Sequence, residues 1–285
     1  MNILLTGNHH KKKFFKLLEK TYNYISSKYN HNVFVDESLL NLQTENKYKF
    51  NELLSKQNKN DLVISIGGDG TILSVVRKMG KTQIPILGIH IGNLGFLNQS
   101  NENKFQKDLD IICKRENNRF IKYFLLQSTF VDEKNKKNTV FSLNDLVISQ
   151  KQNVRLLKID VFIDDILLNH FNCDGMIFST PLGSTAYSLS AGGPIVSSLV
   201  DGIIVTPISP HSLSSRPIVI KNDSKLLITF PSKQKYIFLS TDGQEIYKIK
   251  KNTKVEIKKS NYNAKLLYLD NNDNYYIRLR NKLGW

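Results

Sequence analysis

Residues 61–79, DLVISIGGDGTILSVVRKM, put the tightest limit on what this chain can fold into. A β-branched run, Asp61 to Ile66, leads straight into Gly67, Gly68, Asp69, Gly70 and Thr71. A segment with helical apolar spacing, Ile72 to Met79, follows. A strand that passes into a helix through adjacent glycines implies a parallel α/β sheet. The glycines let backbone N–H groups approach a ligand, and the helix start favours negative charge. Such turns usually cradle phosphate. This one carries a carboxylate, Asp69, among its glycines.

The flanking sequence extends the pattern. Residues 2–5 read as a strand, and Lys11 to Ile25 as a helix through Phe14, Leu17, Leu18, Tyr22 and Ile25. Residues 32–35 and 84–89 read as further strands. The alternation predicts an α/β N-terminal domain with a Rossmann-like parallel sheet over residues 1–100. Phe105, Leu109 and Ile112 suggest a connecting helix. From Arg119 the chain turns to short apolar runs with polar turns between them, such as FIKYFLLQSTFV, TVFSLNDLVIS, LLKIDVFID, GMIFST, GIIVTPI and YIFLST. They predict an all-β, sandwich-like C-terminal domain over residues 101–265. Residues 266–285 are expected to return to the first domain and complete it.

Composition narrows the function classes. With 285 residues, 40% hydrophobic and 23% charged, the chain reads as a soluble globular protein of two modest domains. Its two cysteines, Cys113 and Cys173, form no CxxC pair, which points to a reduced, cytoplasmic protein without disulfides or structural zinc. The N-terminal apolar run is too short for a signal peptide, and no stretch is long enough to span a bilayer. The net charge is +15, but its lysines scatter over Asn-rich loops without a basic stripe interleaved with aromatics. That reads as solvated surface rather than a nucleic-acid face, although it also suits polyanionic nucleotides. His9 and His10 have no third ligand nearby in sequence and read as a solvated turn.

The glycine turn lacks the lysine of a Walker A loop, and the GxGxxG, HExxH and GxSxG patterns are absent. Two chemistries stay open for Asp69: holding Mg²⁺ directly or through water, or accepting the proton of an alcohol that attacks phosphorus. A plain helix cap is the simpler alternative. The second informative stretch is DGMIFSTPLGSTAYSLSAGGPIV, residues 174–196. Its hydroxyls and free backbone groups offer many directional hydrogen bonds, and Tyr187 could stack on a planar ring. This suits an adenine–ribose ligand, the plainer reading being a long Ser/Gly surface loop.

GGDGT (67–71), GNLGFL (92–97), LND (143–145), the 174–196 block, TPISPHSLSSRPIV (206–219) and TDGQE (241–245) occur in that order. Together they resemble the NAD kinase (ATP–NAD kinase) family. GGDG alone is shared with diacylglycerol, sphingosine and phosphofructokinase loops, whereas STPLGSTAYSLSAGGP is specific. The resemblance implies an α/β domain, a β-sandwich and a site between them. It implies transfer of the γ-phosphoryl of ATP, with Mg²⁺ or another divalent metal, to the adenosine ribose 2′-hydroxyl of NAD. On this resemblance Asp69 is the proton acceptor and Gly70 contacts ligand. Gly67, Gly68, Gly70, Thr71 and Asn93 form the phosphate loop. Asn144 and Asp145 hold the adenosine part of NAD, and Asp174 is a site aspartate. Thr185, Ala186, Tyr187, Ser188, Leu189 and Ser190 contact the dinucleotide, and Arg155 and Gln244 are further binding positions. No metal ligand is firmly assigned, and His211 is either structural or a support behind the ligand-contacting residues, not a base.

The sequence departs from the family pattern in three places. Asn144-Asp145 stands where an Asn-Glu pair is usual, Asn172 where a basic or polar residue is usual, and His90 where many members have Asn. The resemblance also implies a cytoplasmic homo-oligomer, dimer or tetramer, with no nucleic-acid or membrane partner. Two other functions fit a glycine loop and a basic charge of this kind. A lipid kinase with the same loop calls for an amphipathic membrane-facing segment with Trp or Phe anchors. A basic nucleic-acid-binding module calls for a zinc-finger or RNP-like sequence. Neither feature is present.

Overall fold

The computed structural model describes residues 1–285 except 43–47, 58, 93–94, 115–119, 151–155, 232–236, 251, 270–274 and 285. The chain forms two compact units: Met1–Lys122 with Ala264–Trp285, and Tyr123–Asn263.

The first unit begins with β1 (Asn2–Gly7), α1 (Phe14–Lys28), β2 (Asn32–Asp36), β3 (Phe50–Asn51), β4 (Leu62–Gly67), α2 (Asp69–Met79), β5 (Ile86–His90), β6 (Ser100–Asn101) and α3 (Phe105–Lys114). Its sheet runs β3-β2-β1-β4-β5 with every pair parallel, and β6 lies beside β5. β4 is buried at every position, as expected of a central parallel strand covered on both faces. α1 buries Phe14, Leu17, Leu18, Thr21 and Ile25, a stripe at helical spacing. α3 buries Phe105, Leu109 and Ile112 in the same core as α1. The sequence reading divided the chain at residue 100, whereas the contacts divide it after Lys122, because this helix packs with the α/β core.

The second unit holds β7 (Phe120–Val131), β8 (Lys137–Ser142), β9 (Asp145–Gln150), β10 (Leu157–Ile163), β11 (Ile166–Cys173), β12 (Gly175–Ser179) and a single helical turn, α4 (Tyr187–Ser190). β13 (Gly202–Ile208), β14 (Ile218–Lys221), β15 (Leu226–Thr229), β16 (Ile237–Thr241), β17 (Glu245–Ile249) and β18 (Val255–Leu267) follow. One antiparallel sheet runs β14-β13-β12-β9-β16-β17, and the other contains β11-β10-β15-β18 with the β7–β8 hairpin beside β18. Ile148, Phe178 and Leu239 from the first sheet share a core with Ile159, Ile228 and Ile257 from the second. That makes the unit an all-β sandwich.

The run TVFSLNDLVIS does not form one strand. It breaks at Leu143 and Asn144 into β8 and β9. At its far end β18 passes into the first unit, where Leu266 pairs parallel with Ile86 of β5. α5 (Tyr275–Leu283) then closes the chain within that unit.

Candidate active site

In the first unit, Asp69 is the first residue of α2. The preceding Gly68 has extended backbone, and Thr71 reaches back so that its Oγ1 accepts the Gly68 N–H at 3.3 Å. The helix start is therefore capped by Thr71, and the Asp69 side chain is not spent on capping. Its carboxylate accepts the Phe96 N–H at 2.6 Å on Oδ2. Oδ1 accepts the Leu97 N–H at 3.1 Å and the Asn98 amide Nδ2 at 2.8 Å. Gly95 makes this approach possible, since a Cβ there would lie 1.9 Å from Asp69 Oδ1. Arg278 of α5 is buried and donates to Phe96 O at 2.7 Å and to Gln99 Oε1 at 2.9 Å. The segment that holds Asp69 is thus itself held by the C-terminal helix.

A cation from another connection also reaches the glycine turn. Lys11, between β1 and α1, donates from Nζ to Ile91 O at 2.5 Å. The same nitrogen lies 3.6 Å from the place a Cβ on Gly68 would occupy.

In the second unit the Leu143–Asn144 turn is organised by a carboxylate, Asp242. Its Oδ1 accepts from Ser142 Oγ at 2.5 Å, from the Asn144 N–H at 2.7 Å and from the Asp145 N–H at 3.2 Å. Its Oδ2 accepts the Leu143 N–H at 3.2 Å. Asp242 and Gly243 both have left-handed backbone, φ 49° and 64°, which suits Asp-Gly in a tight hairpin. Asn144 O accepts the Thr180 N–H at 2.9 Å. Gly183 approaches the same oxygen so closely that a Cβ would lie 2.2 Å from it. The 180–183 turn and the 143–144 turn therefore pack as one body. The Asn144 side chain is half-buried and makes no hydrogen bond among the described residues.

Asp145 is 4% exposed. Burial and the neighbouring Asp242 charge push its carboxyl up to about 7, opposed by the Tyr187 backbone N–H. Asp242 is raised as well, chiefly by burial, against the donors it accepts. Burial thus disfavours the charged form of both carboxyls.

Residues 3–117 match the ATP-NAD kinase N-terminal domain and residues 143–269 the ATP-NAD kinase C-terminal domain. The NAD kinase of Wigglesworthia glossinidia brevipalpis is 41% identical over 229 residues, 80% of this chain and 76% of that protein. The chain belongs to the NAD kinase family. The NAD kinase of Legionella pneumophila strain Corby is 39% identical over 229 residues, 80% of this chain and 77% of its own. Among solved structures, yeast NADH kinase complexed with NADH aligns with a TM-score of 0.87 at 26% identity, covering 100% of this chain and 88% of that one.

The residues that resemblance to NAD kinases singled out fall into two groups. Gly67, Gly68, Asp69, Gly70 and Thr71 lie together at the β4–α2 junction of the first unit. Asn144, Asp145, Asp174, Thr185, Ala186, Tyr187, Ser188, Leu189, Ser190 and Gln244 lie in the second. There Asp145 meets Tyr187, and Ser188 is buried with its hydroxyl 2.9 Å from that of Thr206. Asp174 is exposed between β11 and β12, and Gln244 is exposed in the β16–β17 turn. Tyr187 is 47% exposed. Asn93 and Arg155 lie outside the described residues.

Sequence reading passed over Asp242, Lys11, Arg278 and the 95–98 segment as partners of these positions. Asp242 lies in a quoted motif, and an aspartate before glycine is its signal. Lys11 and Arg278 carry none beyond charge.

Proposed function

We propose that this chain transfers the γ-phosphoryl group of ATP to the adenosine ribose 2′-hydroxyl of NAD, giving NADP and ADP. One observation carries the reading: a carboxylate, Asp69, fixed by three donors at the start of α2 in the glycine turn. As the new oxygen–phosphorus bond forms, the hydroxyl must lose its proton, and Asp69 accepts it. A carboxylate offers about four lone-pair directions. With two bonds on Oδ1 and one on Oδ2, Oδ2 keeps room for the hydroxyl. Orientation is fixed before substrate arrives, which is how a positioned base contributes to phosphoryl transfer.

Gly67, Gly68, Gly70, Thr71 and Asn93 are assigned to the phosphates. Asn144, Asp145, Asp174, Thr185 to Ser190, Arg155 and Gln244 are assigned to the dinucleotide. The Asn144 amide, without a hydrogen bond among the described residues, and the exposed Tyr187 support that assignment. The yeast relative is described in complex with NADH, which supports a dinucleotide acceptor over a lipid. Among the described residues no group of three or more His, Cys, Asp and Glu side chains forms a metal cage. Mg²⁺ in such sites is held largely by substrate phosphates; bound with ATP, it would neutralise phosphate charge. We place the enzyme in the cytoplasm as a homo-oligomer; both cysteines are free. Among the described residues no helix is long and apolar enough to cross a membrane. Gel filtration measures the oligomeric state.

The test is incubation with ATP, Mg²⁺ and NAD, with NADP read by an NADP-specific dehydrogenase. ATP-dependent NADP formation is the expected result. No NADP with several divalent metals, and with polyphosphate as well as ATP as donor, would overturn the assignment.

A further inference from the structure

Lys11 combines three properties that no other part of the glycine turn explains. Its ammonium sits over the turn, 3.6 Å from a Cβ position on Gly68 and 3.9 Å from one on Gly92. It is half-buried, yet among the described residues no carboxylate pairs with it. Its neighbour Lys13 pairs with Glu102 instead, at 3.0 Å. The Asp69 carboxylate is oriented by Phe96, Leu97 and Asn98. One donor of Lys11 goes to Ile91 O; a lysine ammonium has three. A partly desolvated cation without a counter-ion is unfavourable until an anion arrives. The positive end of α2 faces the same turn and adds to its potential. A compact ammonium matches the distributed charge of a phosphate chain.

We propose that Lys11 binds the triphosphate of the donor nucleotide at the Gly67–Gly70 turn. It supplies from the β1–α1 connection the cation that the turn itself lacks. The inference rests on the kinase reading above and adds a substrate-contacting residue to it.

Lys11→Met removes the charge and keeps most of the stem, and Lys11→Arg restores the charge. Losing a hydrogen bond to a charged group corresponds to roughly 10–100-fold in affinity. Lys11→Met is therefore expected to raise the KM for ATP by that factor with the KM for NAD little changed. Lys11→Arg should recover most of the loss, and the exposed neighbour variant Lys12→Met should behave as wild type. The second measurement is the rise in Tm caused by Mg-ATP alone, expected in wild type and largely lost in Lys11→Met.

An unchanged KM for ATP, or an equal Mg-ATP shift in both proteins, would overturn the proposal. So would a parallel rise of both KM values with no recovery in Lys11→Arg, which would leave Lys11 as a tie to the Ile91 carbonyl. A wild-type protein that makes no NADP would overturn the kinase reading, while the Tm shift would still decide whether Lys11 holds a triphosphate.

Discussion

Asp69 and Asp145 are both aspartates in site motifs, but their surroundings differ. Asp69 accepts from three donors, which fix the orientation of its carboxylate. Replacing it by Asn leaves one acceptor oxygen for three donors. Asp69→Asn is expected to lower kcat by about 10²–10⁴-fold, the usual contribution of a positioned base, with a smaller change in the KM for NAD. Steady-state kinetics on the folded variant check this, and near-normal turnover would remove the base role.

Asp145 is buried against Asp242, and its folded carboxyl is raised to about 7. An unfolded aspartate titrates near 3.9. Above about pH 4 the unfolded chain therefore releases a proton that the folded chain still holds. This group then disfavours folding progressively until about pH 7, and by a constant amount above. Asp145→Asn is expected to flatten the fall of Tm between about pH 4 and 7. An identical slope in both proteins would show that burial does not hold the Asp145 proton.

Single elements here act on sites formed by other elements. The β16–β17 hairpin supplies Asp242, which satisfies the Leu143, Asn144 and Asp145 N–H groups at the β8–β9 turn. Asp242→Ala strands these buried donors, each costing about 1–3 kcal/mol. A clear loss of stability in denaturant unfolding is expected, and Asp242→Asn should lose less. α5 acts likewise in the first unit, since Arg278 holds Phe96 O while Phe96 N holds Asp69. Arg278→Ala is expected to cost about 1–3 kcal/mol of stability. It should also lower kcat more than it alters the KM for NAD, read by thermal unfolding and kinetics together. Unchanged kcat would confine Arg278 to anchoring the helix.

At the scale of the molecule, the described residues build a hydrophobic core in each unit. One lies around the parallel sheet with Ile3, Ile64 and Leu87, the other between the antiparallel sheets with Ile148, Phe178 and Ile228. The net charge of +15 belongs to the whole surface. Ion pairs such as Lys28–Asp110 and Lys248–Glu133 match single cations with acids already counted in that balance, so the excess stays on the surface. Binding to duplex DNA is expected to be weak and to fall steeply as salt rises. Fluorescence anisotropy at two salt concentrations measures it, and tight sequence-selective binding at physiological salt would contradict a charge that is mere background.

What the sequence determined by itself was local. The glycine turn between Ile66 and Ile72 follows from backbone freedom next to a β-branched run. The helix at Phe14–Lys28 follows from apolar spacing, and the change to β-structure after Arg119 from short apolar runs separated by polar turns. Each depends on residues within a few positions of one another. The break between β8 and β9 was not legible, because its cause, Asp242, lies 97–100 residues further on. The partners of Asp69 lie 27–29 residues away, and Arg278 lies 182 residues from Phe96. Which of three consecutive lysines turns its ammonium toward Gly68 is likewise decided by where β5 places Ile91. Hydrogen bonds and charge contacts act over a few ångströms of space whatever the separation along the chain. Motif residues could therefore be read from the sequence, but the groups that orient and charge them were fixed only when the tertiary structure brought distant segments together.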